Sequence, residues 1–553
     1  MFYRFKQLLL VIMISVATGI FTTLPACAAE PFVDVPADHW ASVPIEELRT
    51  LGYSNGIGEN QFGLGQTITR AQFAAFLVNV MELNDTYPQA YTDNTDENAW
   101  YYTTLNAIAA NHVTKSDSAF RPDDAITRAE MAEMMIGALG FYELGFQLEH
   151  VALDCPFTDV TTHKGFITMA YDLGLAGGMG NQQFAPDASA TREQAAAMLV
   201  RLHHTKELNL EELHGFYAIS SVSQKDYIAS LDSTGFGWAR LTLEDSHAVI
   251  NTTSRNKNEY YIPQGFMEPY QQTETNNGLA LLSVYADDTN GVLTQILSSD
   301  ELRTEAVNEI VSAMLVSRRD DTIVTFDGVV LDFEALRHAQ KDNYTAFLYE
   351  LRDKIGASKL YIAVHPVMAD NYYDGYDYAE IGVLADRVIL MAYDFDTQKL
   401  TEEEKAMGYT MTPLSPLNHV YAAVQACLKG GIPAEKLLLG ISIDSAQWKL
   451  KDGAVIHDTP YHPPYEAISA RLSVTDCEVV FPNYSYNPYA RYFNESDQTE
   501  NVIWYENEQS IQAKAELARL CGLKGLSIWR LGLIPAEDTN GLHVWNALLD
   551  TMQ

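Results

Sequence analysis

The chain has 553 residues, of which 47% are hydrophobic and 20% charged, and 36 lysines and arginines against 73 aspartates and glutamates give it a formal net charge of −37 at pH 7. This length exceeds one ordinary domain and suffices for two or three with complete cores. Such a charge argues against a nucleic-acid partner and is typical of a soluble exported protein. Apart from Cys27, the cysteines are too scattered for a zinc site or a disulfide framework, so we expect no metal and no cofactor.

The first 29 residues are predicted to be a secretory signal peptide. Arg4 and Lys6 precede the apolar run LLLVIMISVATGIF, and the small residues of PACAAE follow it. A transmembrane anchor is one alternative, but the run is short for a span and no second apolar stretch of about 20 residues follows. A lipoprotein cleavage site at Cys27 is another, which Pro25 fits poorly. We expect an exported protein with no stable membrane insertion after the signal is cleaved.

Three repeated units follow, with predicted boundaries at 30–88, 89–150 and 151–204. Each unit opens with an aromatic-x-Asp element, FVDVPADHW, YTDNTDENAW or PFTDVTTHKG, and closes with ITRAQ, ITRAE or ATREQ. The closing motif predicts a helix start, because threonine is a good N-cap and the glutamate or glutamine three residues later completes a capping box. The repeats are therefore expected to be helical.

An arginine follows each of these threonines. A positive charge there opposes the helix macrodipole, so its threefold recurrence indicates an anionic ligand, with simple surface charge as the alternative. The units resemble S-layer homology (SLH) repeats, which implies an all-α three-repeat bundle that binds a pyruvylated secondary cell-wall polysaccharide in grooves between repeats. The resemblance assigns to this polymer Arg70, Arg128, Arg192, Asp34, Asp93, Asp159, Trp40 and Trp100. In the third copy Thr162 lies about where the other copies have tryptophan, so we expect one weaker groove.

Beyond a linker predicted at 205–213, apolar segments alternate with helical ones over 214–553. The predicted strands are GFYAIS, GFGWARLTL, GLALLSVYA, FDGVVLDFE, KLYIAVHPV, RVILMAYDF, KLLLGISID and GLKGLSIWRLG. Because these segments mostly lack clean two-residue alternation, both of their faces are expected to be buried, as in a parallel sheet. Eight such strands with intervening helices predict an α/β fold, a (β/α)8 TIM barrel, with its active site at the carboxyl ends of the strands.

Two carboxylates end the fourth predicted strand. Side chains two residues apart in a strand share a face, so Val330, Asp332 and Glu334 should point together into the barrel mouth, with the Cα atoms of the two acids about 6.6 Å apart. Two such charges in a poorly solvated site cannot both ionise easily, which keeps a proton available for acid catalysis. Neighbours on one strand cannot straddle a sugar ring, so the nucleophile of a glycosidase would come from elsewhere, and a 2-acetamido group of the substrate can supply it.

The segment DGVVLDFE resembles the signature of glycoside hydrolase family 18, and LMAYDFD and GLSIWRLG extend the resemblance over about 214–535. This resemblance implies that Glu334 protonates the glycosidic oxygen and later activates water. It implies that Asp332 orients the acetamido group and stabilises an oxazolinium charge. Tyr393 would hydrogen-bond the acetamido oxygen.

The resemblance also implies three substrate-binding residues. Asp394 would help to hold the sugar, and Trp529 would form the apolar floor under the ring. Asp327 matches the first aspartate of the family signature and is grouped with these residues, although a structural role is favoured for it. Tyr217, early in the barrel, is expected to line the site as well.

Two departures from the family pattern bear on activity. Val330 replaces the middle aspartate, which removes a hydrogen-bonding partner of Asp332 and is expected to lower activity or move its pH optimum. The Ser-x-Gly-Gly element of chitinases is missing from the third strand, LLSVYADD. Both features, with the terminal segment WYENEQSIQAKAELARLCGLKGLSIWRLG, are more similar to the peptidoglycan and spore-cortex branch of the family.

We therefore expect a secreted enzyme, bound to the bacterial cell wall or S-layer, that hydrolyses β-1,4 bonds beside N-acetylglucosamine in peptidoglycan with retention of configuration. A chitinase or chito-oligosaccharide hydrolase is the alternative with the same chemistry. A catalytically inactive, wall-bound carbohydrate-binding protein is the alternative from another class.

Overall fold

The computed structural model describes residues 31–552 except 88–90, 117, 151–153, 219, 289, 369–372, 396–398 and 535–541. The predicted signal peptide at 1–29, with both alternatives at its cleavage site, lies outside the described residues. Within the described ranges, no helix is long and apolar enough to cross a membrane. The four described cysteines are free thiols.

The amino-terminal part of the chain is a bundle of helices. They are α1 Ser42–Thr50, α2 Arg70–Met81, α3 Tyr102–Ala110, α4 Arg128–Ala138, α5 Tyr142–Leu148, α6 Lys164–Asp172 and α7 Arg192–Lys206. The predicted helix starts are confirmed, because α2, α4 and α7 each begin directly after the threonine of the closing motif. In α2 and α4 both capping-box hydrogen bonds form, while in α7 the side chain of Gln194 accepts from the N–H of Thr191 at 3.2 Å.

The three repeats close into a ring through backbone hydrogen bonds between each pair, and three of these bonds form a cycle. The N–H of Ile68 donates to the carbonyl of Ala190 at 3.1 Å, that of Ala190 to Ile126 at 2.8 Å, and that of Ile126 back to Ile68 at 3.0 Å. All three side chains are fully buried. Because the ring is cyclic, each repeat contacts the other two, and equivalent grooves lie between the repeats.

The carboxyl-terminal part is a closed barrel of eight parallel strands. They are β1 Glu212–Tyr217, β2 Ser233–Glu244, β3 Leu279–Asp287, β4 Gly328–Glu334, β5 Lys359–Val364, β6 Arg387–Leu390, β7 Leu437–Ser442 and β8 Gly525–Trp529. All eight predicted strands are confirmed, and β1 pairs with both β2 and β8, which closes the barrel. The predicted linker at 205–213 is shorter than expected, since α7 continues to Lys206 and β1 already begins at Glu212.

Helices surround the barrel, and smaller sheets extend it. The helices are α8 Met267–Thr275, α9 Val292–Ser298, α10 Asp300–Leu315, α11 Lys341–Ile355, α12 Tyr378–Leu384, α13 Glu402–Ala406, α14 Leu417–Lys429, α15 Tyr465–Leu472, α16 Glu508–Leu520 and α17 Val544–Asp550. A strand at His247–Asn251 forms a hairpin with β2, and Ser317–Arg319 pairs with Thr322–Val324. A five-stranded antiparallel sheet between β7 and α16 contains Ala446–Lys451, Ala454–Val455, Glu478–Val480, Tyr489–Asn494 and Thr499–Trp504.

Apolar side chains fill the interior of the barrel. This layer contains Phe216, Leu281, Val330, Tyr361, Ala363, Ile389, Met391 and Leu438. Val330 is completely buried there, so the prediction that β4 sends Val330 inward on the same face as Asp332 is confirmed. The layer closes the centre of the barrel and leaves the carboxyl ends of the strands as its open mouth.

The bundle packs against the helical shell of the barrel through charged contacts. Asp172 on α6 accepts hydrogen bonds from Tyr421 at 2.7 Å and from Lys429 at 3.2 Å, both on α14. Arg519 on α16 donates to the carbonyl oxygens of Lys206 at 2.6 Å and Leu208 at 2.7 Å. These contacts join the end of α7 and the short linker to the side of the barrel, away from its mouth.

Candidate active site and inter-repeat grooves

A cavity of about 290 Å³ opens at the carboxyl ends of the barrel strands. Its lining includes the five sequence-predicted residues Asp332, Glu334, Tyr393, Asp394 and Trp529. These residues come from the ends of β4 and β8 and from the segment after β6, which are distant in sequence. The fold therefore brings together most of the predicted catalytic and sugar-binding residues in one cleft.

The two acids of β4 are held differently. Asp332 is 2% exposed, and its Oδ1 makes no hydrogen bond to any described residue. Glu334 is the last residue of the strand and is partly exposed in the cavity. The neighbouring strand β3 pairs Tyr285 with Asp332 and Asp287 with Glu334. A third carboxylate, which was not predicted from the sequence, therefore lies beside Asp332 and Glu334.

Burial sets the protonation of this pair. Desolvation raises the pKa of Asp332. Desolvation also raises the pKa of Glu334, and the negative charges of Asp332, Asp287 and Asp394 add to that increase. Because the two groups interact strongly, their protons leave in steps that belong to the pair. A proton is thus retained at neutral pH, and Glu334, which faces the cavity, is the group that can donate it to a substrate.

The opposite wall of the cavity follows β6. Tyr393 is partly buried, and its aromatic edge lies so close to Gly440 that a Cβ at that glycine would stand 3.1 Å from the ring. Asp394 has a left-handed backbone with φ of 58°. Burial raises the pKa of Asp394 to about 6, the charge of Asp444 adds to this increase, and His462 opposes it.

Aromatic rings form the remaining surface. Trp529 at the end of β8 packs edge-on against Phe216 of β1, with ring centroids 5.1 Å apart. His365 stacks on Tyr373 at 4.0 Å, and Arg337 lies over the same tyrosine ring at 4.5 Å. Burial and the Arg337 charge lower the pKa of His365 to about 4, so its imidazole is neutral at physiological pH. Flat apolar faces and a neutral imidazole suit the pyranose ring of a sugar.

A second group of residues that the sequence analysis missed lies beside Asp287. Tyr260 stacks on Tyr285 with ring centroids 4.2 Å apart and planes 9° apart. Arg240 of β2 lies over Tyr285 at 5.2 Å and donates from Nη2 to Asp287 at 2.7 Å. Tyr285 and Asp287 could have been identified from the sequence, because they lie two residues apart at the end of β3. Asp332 and Glu334 have the same spacing at the end of the neighbouring strand β4.

Two predicted substrate-binding residues lie elsewhere. Asp327 immediately precedes β4 at the amino-terminal end of the barrel, where its carboxylate accepts from the N–H of Ala280 at 2.8 Å. Seven residues of extended chain, about 23 Å, separate it from Glu334, so its grouping with the sugar-binding residues is wrong and its role is structural. Tyr217 is buried outside the barrel interior against Phe236 and Trp238, and its neighbour Phe216 lines the cavity instead.

The three SLH arginines are buried, so the alternative that they are simple surface charges is wrong. Arg70, Arg128 and Arg192 are 7%, 5% and 7% exposed. Each Nε donates to the carbonyl of an aromatic residue in the next repeat around the ring, and each guanidinium lies over the same ring: Arg70 on Phe120, Arg128 on Phe184 and Arg192 on Phe62. These contacts account for the recurrence of the arginines as links between repeats.

The three aspartates support the same aromatic residues. Asp34, Asp93 and Asp159 accept from the N–H groups of Phe62, Phe120 and Phe184, at 2.7, 2.8 and 2.8 Å. Trp40 and Trp100 are both 60% exposed on the bundle surface. The aspartates thus hold loops, while the tryptophans are free to contact a ligand.

The grooves differ in the pairing of their arginines. A groove of about 440 Å³ contains Trp40 of the first repeat, Arg128 of the second and Arg201 of the third. Arg70, in the equivalent position of another groove, is paired with Glu130 at 2.6 Å. Among the described residues, no carboxylate lies within 4.0 Å of the guanidinium nitrogens of Arg128. The Arg70 guanidinium is therefore paired with a carboxylate, which it shares with Arg121, whereas the Arg128 guanidinium has no such pair, although Glu193 also lines its groove.

Comparison with known proteins agrees with both halves of this description. Residues 214–533 match the model of glycosyl hydrolases family 18, and residues 31–74, 95–132 and 156–196 match the S-layer homology domain. The structure is similar to "Crystal structure of C-terminal domain of putative chitinase from Desulfitobacterium hafniense DCB-2", with a TM-score of 0.50 and 18% identity over 63% of this chain and 100% of that one. This likeness concerns the fold of the barrel.

Two Bacillus subtilis (strain 168) proteins are related in sequence. "Putative sporulation-specific glycosylase YdhD" is 27% identical over 253 residues, which are 44% of this chain and 54% of that protein. "Cortical fragment-lytic enzyme" is 28% identical over 259 residues, 44% of this chain and 53% of that protein. The chain spans about half the length of these curated relatives. Since the family model covers more than half of the chain, the protein belongs to glycosyl hydrolase family 18 and carries three S-layer homology repeats.

Proposed function

We propose that this protein is a wall-anchored hydrolase that cleaves β-1,4 bonds beside N-acetylglucosamine in peptidoglycan, with retention of configuration. The observation that carries the proposal is the pair of buried Asp332 and partly exposed Glu334 in one cavity with Tyr393 and Trp529. A protonated glutamic acid at the cavity surface supplies a general acid, and a second carboxylate beneath it cannot reach the far face of the sugar. This arrangement supports a nucleophile that comes from the substrate.

The proposed reaction proceeds in two steps. Glu334 donates its proton to the glycosidic oxygen while the acetamido carbonyl oxygen attacks C1, so that the C1–O bond to the leaving sugar breaks and an oxazolinium ion forms. Asp332 accepts a hydrogen bond from the acetamido N–H and stabilises the positive charge, and Tyr393 donates to the acetamido oxygen. Glu334 then takes a proton from water, which attacks C1, opens the oxazolinium ring and regenerates the acetamido group.

The family membership and the names of relatives support the choice of substrate. Family 18 implies a glycan that contains N-acetylglucosamine, and one relative is named "Cortical fragment-lytic enzyme". Binding of the chain to the bacterial envelope would bring the barrel to such a glycan. Chitin and chito-oligosaccharides carry the same acetamido group, so they form the comparison substrate of the test.

An inactive carbohydrate-binding protein is a second candidate that one observation favours. Val330 lies in the apolar layer of the barrel where the family has an aspartate, and Oδ1 of Asp332 has no partner among the described residues. A carboxylate that needs to shift between two partners during the reaction has lost one of them. Turnover, rather than binding, distinguishes the two candidates.

Mass spectrometry of released fragments tests the proposal. Purified peptidoglycan and chito-oligosaccharides are incubated with the chain, with Glu334→Gln and with Glu309→Gln, an exposed residue of α10 that serves as control. We expect muropeptides with N-acetylglucosamine at the new reducing end from the chain and the control, and none from Glu334→Gln. Sugar binding without product from either substrate would instead support the inactive carbohydrate-binding protein.

We also propose that the SLH repeats bind an anionic wall polysaccharide, and that the Arg128 groove contributes more than the Arg70 groove. Support comes from the buried Arg128 guanidinium, which forms no ion pair within 4.0 Å among the described residues, from the exposed Trp40 in the same groove, and from the Arg70–Glu130 ion pair. The chain should sediment with wall sacculi until the secondary polysaccharide is removed. Arg128→Met should weaken sedimentation more than Arg70→Met, and equal effects would contradict this ranking.

A further inference from the structure

A second, polar cavity of about 240 Å³ adjoins the candidate active site on its β2–β3 side. Its lining includes Arg240, Asn251, Asn256, Asn258, Asp287 and Asn290. We call it the Arg240 pocket. Family membership and the sequence analysis assign no role to it, and among the residues predicted from the sequence none lines it.

The Arg240 pocket is one strand spacing away from the catalytic acid. Asp287 lines the pocket and pairs in register with Glu334, which lines the catalytic cavity. Adjacent strands lie about 4.8 Å apart, so the two cavities share this pair of carboxylates as their common wall. A glycan chain bound across the barrel mouth with one sugar in the catalytic cavity would have a neighbouring sugar at the pocket.

Arg240 is a preorganised cation in this pocket. Its guanidinium is fixed between the ring of Tyr285 at 5.2 Å and the carboxylate of Asp287 at 2.7 Å, yet 38% of the side chain is exposed. A guanidinium has five N–H donors in a planar fork that matches a carboxylate, and the bond to Asp287 uses one of them. Fixing the side chain in advance lowers the entropic cost of binding a ligand.

The amides around Arg240 complete a polar site. Asn258 is buried, and its side chain donates to the carbonyls of Asn251 and Thr253, each at 3.0 Å, which shapes the loop that closes the pocket. Asn256 and Asn290 are exposed at its rim. Such a pocket has little apolar surface for a neutral sugar face, and its exposed cation is suited to an acidic substituent.

We propose that the Arg240 pocket binds the sugar next to the cleaved N-acetylglucosamine, and that Arg240 receives a carboxylate substituent of that sugar. The inference rests on the proposed function and makes it more specific. Peptidoglycan exposes such a carboxylate in the lactyl ether of its muramic acid wherever the stem peptide has been removed, whereas chitin has none. With a net charge of −37 and carboxylates at the mouth, the protein repels an anionic glycan in general. Arg240 offsets that repulsion at one position.

The test compares glycan strands that differ only in charge. Peptidoglycan strands whose stem peptides an amidase has removed, so that the lactyl carboxylates are free, are digested by the full chain, by Arg240→Met and by Arg240→Lys. The same strands with these carboxylates converted to amides, and chito-oligosaccharides, are digested in parallel. Arg255→Met is the matched control, since Arg255 is an exposed arginine of the same loop region that pairs with Glu244 outside the pocket. Thermal unfolding of each variant verifies that it is folded.

We expect Arg240→Met to lower kcat/KM for the strands with free carboxylates by about 10- to 100-fold, the range for one charge-assisted hydrogen bond. For the amidated strands and chito-oligosaccharides, the change should be within about threefold. Arg240→Lys should retain part of the preference, and Arg255→Met all of it. An equal loss on all three substrates would overturn the proposal and leave Arg240 as a positioning residue for Asp287. Wild-type kcat/KM that does not differ between charged and amidated strands would also overturn it. Cleavage of none of the three would refute the proposed function itself.

Discussion

Replacing Asp332 with asparagine should move the alkaline limb of the pH–activity profile to lower pH. In the native site the Asp332 carboxylate raises the pKa of Glu334, because a second negative charge nearby is unfavourable. The substitution keeps the shape of the side chain and removes its charge. The pKa of Glu334 should then fall, and the acid should lose its proton at a lower pH.

The size of this shift follows from the geometry of one strand. Two residues apart in β4, the groups are separated by about 6.6 Å between Cα atoms. At an effective dielectric constant of about 20, Coulomb's law gives about 2.5 kcal/mol, which corresponds to about 1.8 pKa units. Partial protonation of Asp332 in the native pair reduces the effect, so we expect a shift of about one to two pH units.

The assay is kcat/KM against pH with a fluorogenic chito-oligosaccharide, which has no carboxylate of its own. Asp332→Asn will have low activity, since the residue also stabilises the oxazolinium charge, but the profile of the residual activity reports the acid. Asp342→Asn, an exposed residue in the first turn of α11, is the control and should leave the profile unchanged. An alkaline limb that stays in place or moves to higher pH in Asp332→Asn would refute the electrostatic coupling.

Three further substitutions test separate parts of the account. Val330→Asp restores a partner for Asp332 beneath it and should raise kcat while lowering Tm, because it buries an acid in an apolar layer. Asp327→Ala should leave kcat unchanged and lower the free energy of unfolding by about 0.5–1.5 kcal/mol through loss of the hydrogen bond from the Ala280 N–H to this exposed carboxylate, as urea denaturation would measure. Lys514→Met should cost about 3–5 kcal/mol in the same assay, because its partner Glu506, 2.8 Å away, is itself completely buried.

Each of these results has an outcome that contradicts it. An unchanged or lower kcat in a folded Val330→Asp would mean that the missing aspartate does not limit turnover. A large loss of kcat in Asp327→Ala would contradict its position at the far end of the barrel. If Lys514→Met unfolds like the native chain, the Glu506 charge is compensated without the lysine, and the double variant Lys514→Met, Glu506→Gln should then also be neutral.

Local signals in the sequence predict the fold well. Strands buried on both faces are continuous apolar runs, so the eight barrel strands are recognisable without any tertiary information. The capping boxes at Thr69 and Thr127 depend on residues three apart and form as the sequence predicts. The position of Glu334 in the candidate site can also be predicted from the sequence, since it ends a strand in a fold whose active site lies at the carboxyl ends of the strands.

Contacts between distant segments explain what the sequence did not predict. Successive residues of a strand point to opposite faces, so a shift of one residue decides that Phe216 enters the barrel and Tyr217 does not. Because β1 is apolar throughout, its sequence does not show which residues face inward. The roles of Asp287 and Arg240 depend on the register between β2, β3 and β4. The arginine links between SLH repeats require the cyclic order of the bundle, which no single repeat contains.

The anomeric configuration of the first product tests the central claim most directly. Proton NMR follows a short β-linked N-acetylglucosamine oligomer from the moment the chain is added. We predict that the β-anomer appears first and mutarotates afterwards, and that Glu334→Gln yields neither anomer. A matched oligomer whose 2-acetamido groups are replaced by hydroxyls should not be cleaved. Initial release of the α-anomer, or equal cleavage of the hydroxyl analogue, would contradict catalysis by the substrate's own acetamido group with Glu334 as the acid.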